Sequence, residues 1–333
     1  MNYLSSARRV KLWQSLLPHW QQSVIGHSEL GQAIIAFHQT PLDQCEVLAW
    51  SLMHGNETTG AEALTALIQQ PQFGHKSWCI VPVLNPDGAD AFTRLNHNGK
   101  DVNRDAIRSE TKEGQALLSL MPRIQPKLVL NLHDQRSCFR GIGSDRPATF
   151  SLLAPCSNPK HEGGFDLEAS KVASWMANRI SQQHPRWGLA RFNDSHYPNA
   201  FGDLWQSHVP TITLETGITL SDWTRGETAQ ALALLLVNID STSWEEIFQN
   251  PPDDYLALPM NIDDARDASV QVGNGQSCTL AHQEILRQGR LHTEWRVLKG
   301  DAQQGPAWRH WSSHLPRLMP GEVFDERSAQ QIS

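Results

Sequence analysis

The 333-residue sequence predicts an α/β fold: a mixed, centrally parallel twisted sheet flanked by helices, with a small C-terminal appendage. Three observations carry that prediction. Four short apolar runs, residues 46–52 (EVLAWSL), 78–84 (WCIVPVL), 127–132 (KLVLNL) and 210–214 (PTITL), have the length and composition of buried strands. Longer stretches with apolar residues at helical spacing lie between and after them, and strands alternating with helices favour a sheet that is at least partly parallel. Three of the runs lead into His54, His133 and Glu215, and ligands in such sheets bind beyond the carboxyl ends of the strands.

Taken in order, residues 1–30 read as a helical entry segment. After the first strand, residues 59–70 (TGAEALTALIQQ) have helical spacing and are closed by Pro71. The second strand ends at Asn85-Pro86-Asp87-Gly88, a strong turn signal. Residues 165–183 read as an amphipathic helix, with Asp166 and Glu168 in its first turn to suit the dipole. A further helix over roughly 225–239 holds a dense aliphatic stretch (ALALLLVNI). Composition shifts at residues 250–254 (NPPDD), dividing the chain into a main domain, 1–249, and a C-terminal segment, 250–333. In that segment 269–282 and 289–299 show partial strand character, whereas 306–333 reads as irregular.

Bulk properties narrow the class. A hydrophobic content of 39% over this length can bury a sizeable core. The net charge of -7 gives no basic footprint for nucleic acid and no reason to expect an anionic membrane as a partner. No apolar run is long enough to cross a bilayer, and Arg8, Arg9, Lys11 and Trp13 interrupt the stretch a signal peptide would need, so a cytoplasmic location is expected. Five scattered cysteines without a CxxC pair indicate neither a disulfide framework nor a thiolate metal site, and each reads as a small buried hydrophobe.

The candidate chemistry begins at Met53-His54-Gly55-Asn56-Glu57. A hydrolytic zinc site needs three ligands from His, Glu and Asp and one open position for water. His54 and Glu57 stand three apart at a strand-to-helix junction, and Gly55 between them lets the backbone turn tightly. By itself the pair is weak, since fifteen histidines make chance pairs easy and a Glu at a helix start also answers the dipole. Its company is more specific: Asn85-Pro86-Asp87-Gly88, then Arg94, then Gly99-Lys100-Asp101-Val102-Asn103-Arg104-Asp105. On these residues the sequence resembles the zinc carboxypeptidase family, in which an NPDG loop, an Arg and an NR pair follow HxxE. Asn131-Leu132-His133 looks like that family's third ligand and Thr213-Leu214-Glu215 like its catalytic Glu, so the resemblance spans residues 46 to about 240.

The resemblance implies one zinc ion per chain, held by His54, Glu57 and His133, with Glu215 as general base. It further implies that Arg94 stabilises the oxyanion and that Asn103 and Arg104 grip a substrate carboxylate. Tyr197 sits about where the family places a mobile Tyr. Asp134, next to the third ligand, is expected to support it as a nearby carboxylate. Arg136 and Arg140 read as a second anion contact or as solvated surface residues. The implied substrate is a peptide or an N-acyl amino acid, and the implied reaction is hydrolysis of an amide beside a free carboxylate, releasing C-terminal amino acids. The HGNET stretch also resembles the aspartoacylase and succinylglutamate desuccinylase branch, which cleaves N-acyl amino acids; the NPDG loop, more typical of the peptidase branch, counts against that alternative. A non-catalytic binding protein on the same fold is the third reading, and loss of one of His54, Glu57, His133 or Glu215 would have marked it.

Overall fold

All four apolar runs become adjacent strands of one sheet, and the geometry of that sheet decides where the candidate ligands meet. The computed structural model describes residues 3–136, 138–157, 164–192, 197–273, 275, 277–298, 306–315 and 317–332. The strands are β1 (Gln21–His27), β2 (Ala33–His38), β3 (Val47–Trp50), β4 (Trp78–Val81), β5 (Leu128–Asp134), β6 (Arg140–Gly141), β7 (Ala148–Leu153), β8 (Gly188–Arg191), β9 (Thr211–Thr216), β10 (Asn261–Ile262), β11 (Arg266–Gln271), β12 (Ser277–Arg287), β13 (Arg290–Val297), β14 (Ala307–Ser313), β15 (Val323–Phe324) and β16 (Ala329–Ile332). The helices are α1 (Ser6–Leu16), α2 (Thr59–Leu67), α3 (Pro86–Ala91), α4 (Lys112–Leu118), α5 (Gly164–Gln183), α6 (Phe201–Gln206), α7 (Gly226–Ser241), α8 (Trp244–Phe248) and α9 (Asp253–Leu256).

Eight strands form the main sheet in the order β1-β2-β4-β3-β5-β9-β7-β8. The central four run parallel, while β2 joins β4 and β7 joins β9 antiparallel, giving the mixed, centrally parallel sheet that the alternating pattern predicts. Those central strands are buried on both faces, which is why they read as unbroken apolar runs. One face packs against α2, α5 and α7 through Leu64, Val172 and Leu232, and the other against α4 and α6 through Leu117, Phe201 and Trp205. The chain passes from β3 to β4 on one side, then returns to place β5 on the other side of β3. The crevice beyond the β3 and β5 ends is therefore a topological switch point, the place where open α/β sheets bind ligands.

Several expectations need correction. Among the described residues of 1–30 only α1 is helical; β1 follows as a strand at the sheet edge, with a single buried residue, so its polar outer face hid the period-two signal. Residues 85–88 open a helix instead of forming a turn: Asn85 Oδ1 accepts from Gly88 N at 2.9 Å and Pro86 takes the first helical position, where its missing N–H costs nothing. Residues 306–333, read as irregular, contribute β14, β15 and β16 to a six-stranded second sheet of order β15-β13-β12-β11-β14-β16. That sheet has its own core of Trp295, Trp311, Leu280 and Phe324, which also takes in Cys138, Ile218 and Trp223 from the main sheet's loops. Tyr255, beyond the composition shift, lies fully buried in the core of the main sheet. All five cysteines are buried. Among the described residues, no helix is long and apolar enough to cross a membrane.

Candidate metal centre

β3 ends at Trp50, and the chain bends through Leu52, held at φ 52°, into the His54–Glu57 loop that precedes α2. Positive φ in a branched residue is strained, and such strain concentrates where a loop must be aimed. Gly55 is required for closeness more than for turning: a Cβ there would stand 1.9 Å from Gly88 C and 2.2 Å from Ala89 N. The His54 loop is thus pressed against the start of α3, and Asn85 Nδ2 ties the two together by donating to Met53 O at 3.2 Å. This contact explains physically why the HGNE and NPDG segments occur together.

The structure brings His54, Glu57 and His133 to one point. His54 Nδ1 lies 2.8 Å from Glu57 Oε1, His133 Nδ1 lies 2.8 Å from Glu57 Oε2, and the two imidazole nitrogens are 3.1 Å apart. All three residues are buried, at 1–2% exposure. Two ring nitrogens facing each other and one carboxylate at this range are natural partners of a shared cation. A zinc ion bound at about 2.0–2.2 Å needs donors spaced roughly 3.3 Å apart, close to the spacing seen. The donor set of two imidazoles and one carboxylate is that of a hydrolytic site with a position open to water. Among the described residues, this is the group of His, Cys, Asp and Glu whose ligand atoms converge in this way, within 4.8 Å of one another.

Electrostatics in the metal-free site fit the same reading. Burial opposes a charge on His54, but the carboxylates of Glu57 and Asp101 outweigh it and raise its pKa to about 9. Burial likewise works against ionised Glu57, yet His54 and His133 hold its pKa well below the ordinary range. His133 is lowered, chiefly by burial, so it offers a neutral nitrogen.

Glu215 is the register partner of His133 in the parallel β5/β9 pair, so both side chains leave the same face of the sheet. Its pKa is pushed well above the usual carboxylate value, first by burial and then by the charge of Glu57. Arg94 reaches the rim, with Nη1 3.3 Å from Glu57 Oε1 and Nε 3.1 Å from Asp101 Oδ2, and 44% of its side chain is exposed. Asn103 Oδ1 accepts from Phe201 N at 3.0 Å, which holds the start of α6. The exposed Arg104 donates to Asn103 O at 2.9 Å, and its guanidinium lies over the Tyr197 ring, 5.3 Å from the centroid. Tyr197 is 49% exposed.

Two second-layer assignments change. Asp134 does not hold His133: neighbouring residues on a strand face opposite ways, and its carboxylate accepts from Thr59 N at 3.1 Å and Thr216 Oγ1 at 2.7 Å. Among the described residues His133 Nε2 has no partner. The supporting carboxylate is instead Asp101, whose Oδ1 lies 3.0 Å from His54 Nε2 and which also engages Arg94. Sequence reading passed over Asp101, although a carboxylate two residues before the Asn103-Arg104 pair was the available signal. Arg140 forms a double ion pair with Asp264 (2.7 Å for each contact), and Arg136 pairs with the buried Glu284, so both are committed within the protein.

The fold is that of the metallo-carboxypeptidases. The enzyme from Burkholderia cenocepacia superposes with a TM-score of 0.57 at 15% identity, over 72% of this chain and 69% of that one. The metallo-carboxypeptidase from Pseudomonas aeruginosa, solved with (2-guanidinoethylmercapto)succinic acid, gives 0.56 at 17% identity, over 72% and 68%. Carboxypeptidase A from Helicoverpa armigera gives 0.53 at 17% identity, over 71% of each chain. In sequence, residues 46–138 match the family model of the succinylglutamate desuccinylase/aspartoacylase catalytic domain. Murein peptide amidase A of Escherichia coli K12 is 27% identical over 142 residues, 34% of this chain, and the chain spans 59% of that relative's length. The resemblance to the zinc carboxypeptidases, with the desuccinylase/aspartoacylase group as relatives, therefore stands. Residues 85–88, the NPDG segment, lie inside the stretch that the desuccinylase/aspartoacylase model matches.

Proposed function

We propose that this chain is a zinc-dependent amide hydrolase of the metallocarboxypeptidase type, cleaving a peptide amide beside a free carboxylate. The observation that carries the reading is the convergence of His54, Glu57 and His133 on one point, with Glu215 on the same sheet face beside His133. A zinc ion held by the three would supply Lewis acidity toward a carbonyl oxygen and toward water. Glu215 takes a proton from the attacking water and passes it to the leaving amine. Arg94 donates to the carbonyl oxygen as negative charge grows there. Asn103 and Arg104 receive the substrate carboxylate, Arg104 in a two-pronged manner, with Tyr197 covering it. In this reading residues 1–249 carry the chemistry, 250–333 form a supporting segment, and the protein works in the cytoplasm.

The likeness to murein peptide amidase A makes a peptide of cell-wall type a substrate to try first. A second reading, deacylation of N-acyl amino acids, is favoured by the family model over residues 46–138. Metal-loaded protein offered peptides with free C-termini, a murein-type peptide, N-succinylglutamate and N-acetylaspartate separates them. Release of amino acids from peptides supports the first reading. Turnover of the N-acyl compounds alone replaces it with the second, and turnover of none removes both.

A further inference from the structure

The described residues of the segment that leaves the third candidate ligand, 134–136 and 138–141, are tied at several points to residues from beyond position 260. Gln135 Oε1 accepts from Asn261 Nδ2 at 3.1 Å, Arg140 is double-paired with Asp264, and β6 pairs with β10. At the centre is Glu284, on β12 of the second sheet, with only 4% of its side chain exposed. It pairs with Arg136 and, at 3.1 Å, with Arg225, which is itself buried at 8% exposure. Arg225 sits at the start of α7 with φ 64° and donates through Nη2 to Gln135 O at 2.9 Å. Gln135 then reaches the strand of the candidate base: its N donates to Thr216 O at 2.7 Å, and its Nε2 to Glu215 O at 3.1 Å, Ser151 Oγ at 3.0 Å and Ala148 O at 3.2 Å.

A continuous chain of hydrogen bonds therefore runs from the second sheet, through Glu284, Arg225 and Gln135, to the backbone of Glu215. A charge cluster this buried is an unusual way to join two sheets. Removing Glu284 takes from Arg136 and Arg225 the carboxylate they both touch and leaves them Asp134 alone, a larger disturbance than loss of a surface pair.

We propose that Glu284 is a positioning residue for the site, holding Arg225 and Gln135 so that the second sheet sets the placement of Glu215 relative to His133. The inference rests on the proposed hydrolase reading for its kinetic consequence, while its structural content stands apart from activity. A group placed about 1 Å from its working position loses on the order of a hundredfold in rate without needing to lose substrate affinity.

The test uses the full-length protein and two variants, Glu284→Gln and Gln135→Met, so that one still reports if the other does not fold. Backbone amide exchange on metal-free protein is the first readout. We expect exchange at residues 133–136 and 215–217 to rise at least about tenfold in each variant, with residues 21–38 and 164–183 within about threefold of wild type. The second readout is kinetic: kcat of the zinc-loaded variants should fall by roughly 10- to 100-fold, with KM within about threefold and one zinc still bound per chain. Exchange that rises equally everywhere, exchange that does not rise at 133–136 and 215–217, or an unchanged kcat in an active enzyme overturns the proposal. If wild-type protein hydrolyses nothing in the panel, the hydrolase reading fails, and local exchange alone decides whether Glu284 positions this segment.

Discussion

Replacing Gly55 by Ala tests whether the pairing of the HGNE and NPDG segments is a matter of space. The added Cβ would lie 1.9 Å from Gly88 C, 2.3 Å from Gly88 O and 2.2 Å from Ala89 N. All three are backbone atoms, so no side chain can swing aside. Real Cβ contacts do not fall below about 3 Å, so the two segments must separate by at least about 1 Å. Separation is resisted on both sides, by the Asn85 to Met53 hydrogen bond and by the cap that starts α3. Overpacking of this kind costs about 1–3 kcal/mol where neighbours can relax, and the rigid backbone here points to the upper end, about 3 kcal/mol. The effect on metal binding should be larger still, because His54 and Glu57 flank Gly55 and metal–ligand distances tolerate only about 0.2 Å of error. Urea unfolding of metal-free Gly55→Ala, together with a competitive zinc titration, should show that loss of stability and an affinity reduced at least about 100-fold. Stability within about 0.5 kcal/mol of wild type and affinity within about threefold would refute the reasoning.

Other consequences are as specific. Glu215→Gln should bind zinc normally but lose about 100- to 10,000-fold in kcat, measured on the substrate that wild-type protein turns over; near-normal turnover would discard Glu215 as the base. Asp101→Asn removes the carboxylate behind His54 Nε2 and should weaken zinc binding by about 10- to 100-fold by competition titration, while unaltered affinity would show that His54 needs no such support. Arg104→Ala should raise KM for substrates with a free carboxylate far more than it lowers kcat, and an unchanged KM would rule out the grip. His282, packed between Trp223 and Trp295 in the second sheet, has its pKa lowered by burial to about 4. The unfolded chain therefore binds the extra proton first: this group's contribution is whole above about pH 6.5 and lost as pH falls toward about 4. Thermal midpoints from pH 7.5 to 4.5 should fall less steeply in His282→Asn than in wild type, and parallel slopes would contradict the assignment.

How much of this was readable in advance follows from which signals are local. The buried strands β3, β4, β5 and β9 were visible because a strand covered on both faces is apolar at every position, whereas β1, exposed on most of its length, left no such mark. The β-rich C-terminal sheet was half-seen, since β14 exposes much of its polar lining and looks irregular in sequence. His54, Glu57 and His133 were legible from motif order, and the sheet brings their side chains together as the resemblance implies. The role given to Asp134 failed on a rule that was already available, that consecutive strand residues face opposite ways. Asp101, Arg225 and Glu284 could not be paired from sequence, because their partners lie 47, 90 and 148 positions away in the chain and only the topology of two sheets brings them together.

The central claim is that three side chains, two from the loop after β3 and one from the neighbouring parallel strand β5, share one divalent ion. Equilibrium zinc titration of metal-free wild type and His133→Ala tests it most directly. Wild type should bind one ion per chain, and the variant should bind at least about a hundredfold more weakly. Equal affinity in the two proteins, or no zinc bound by wild type, would contradict it.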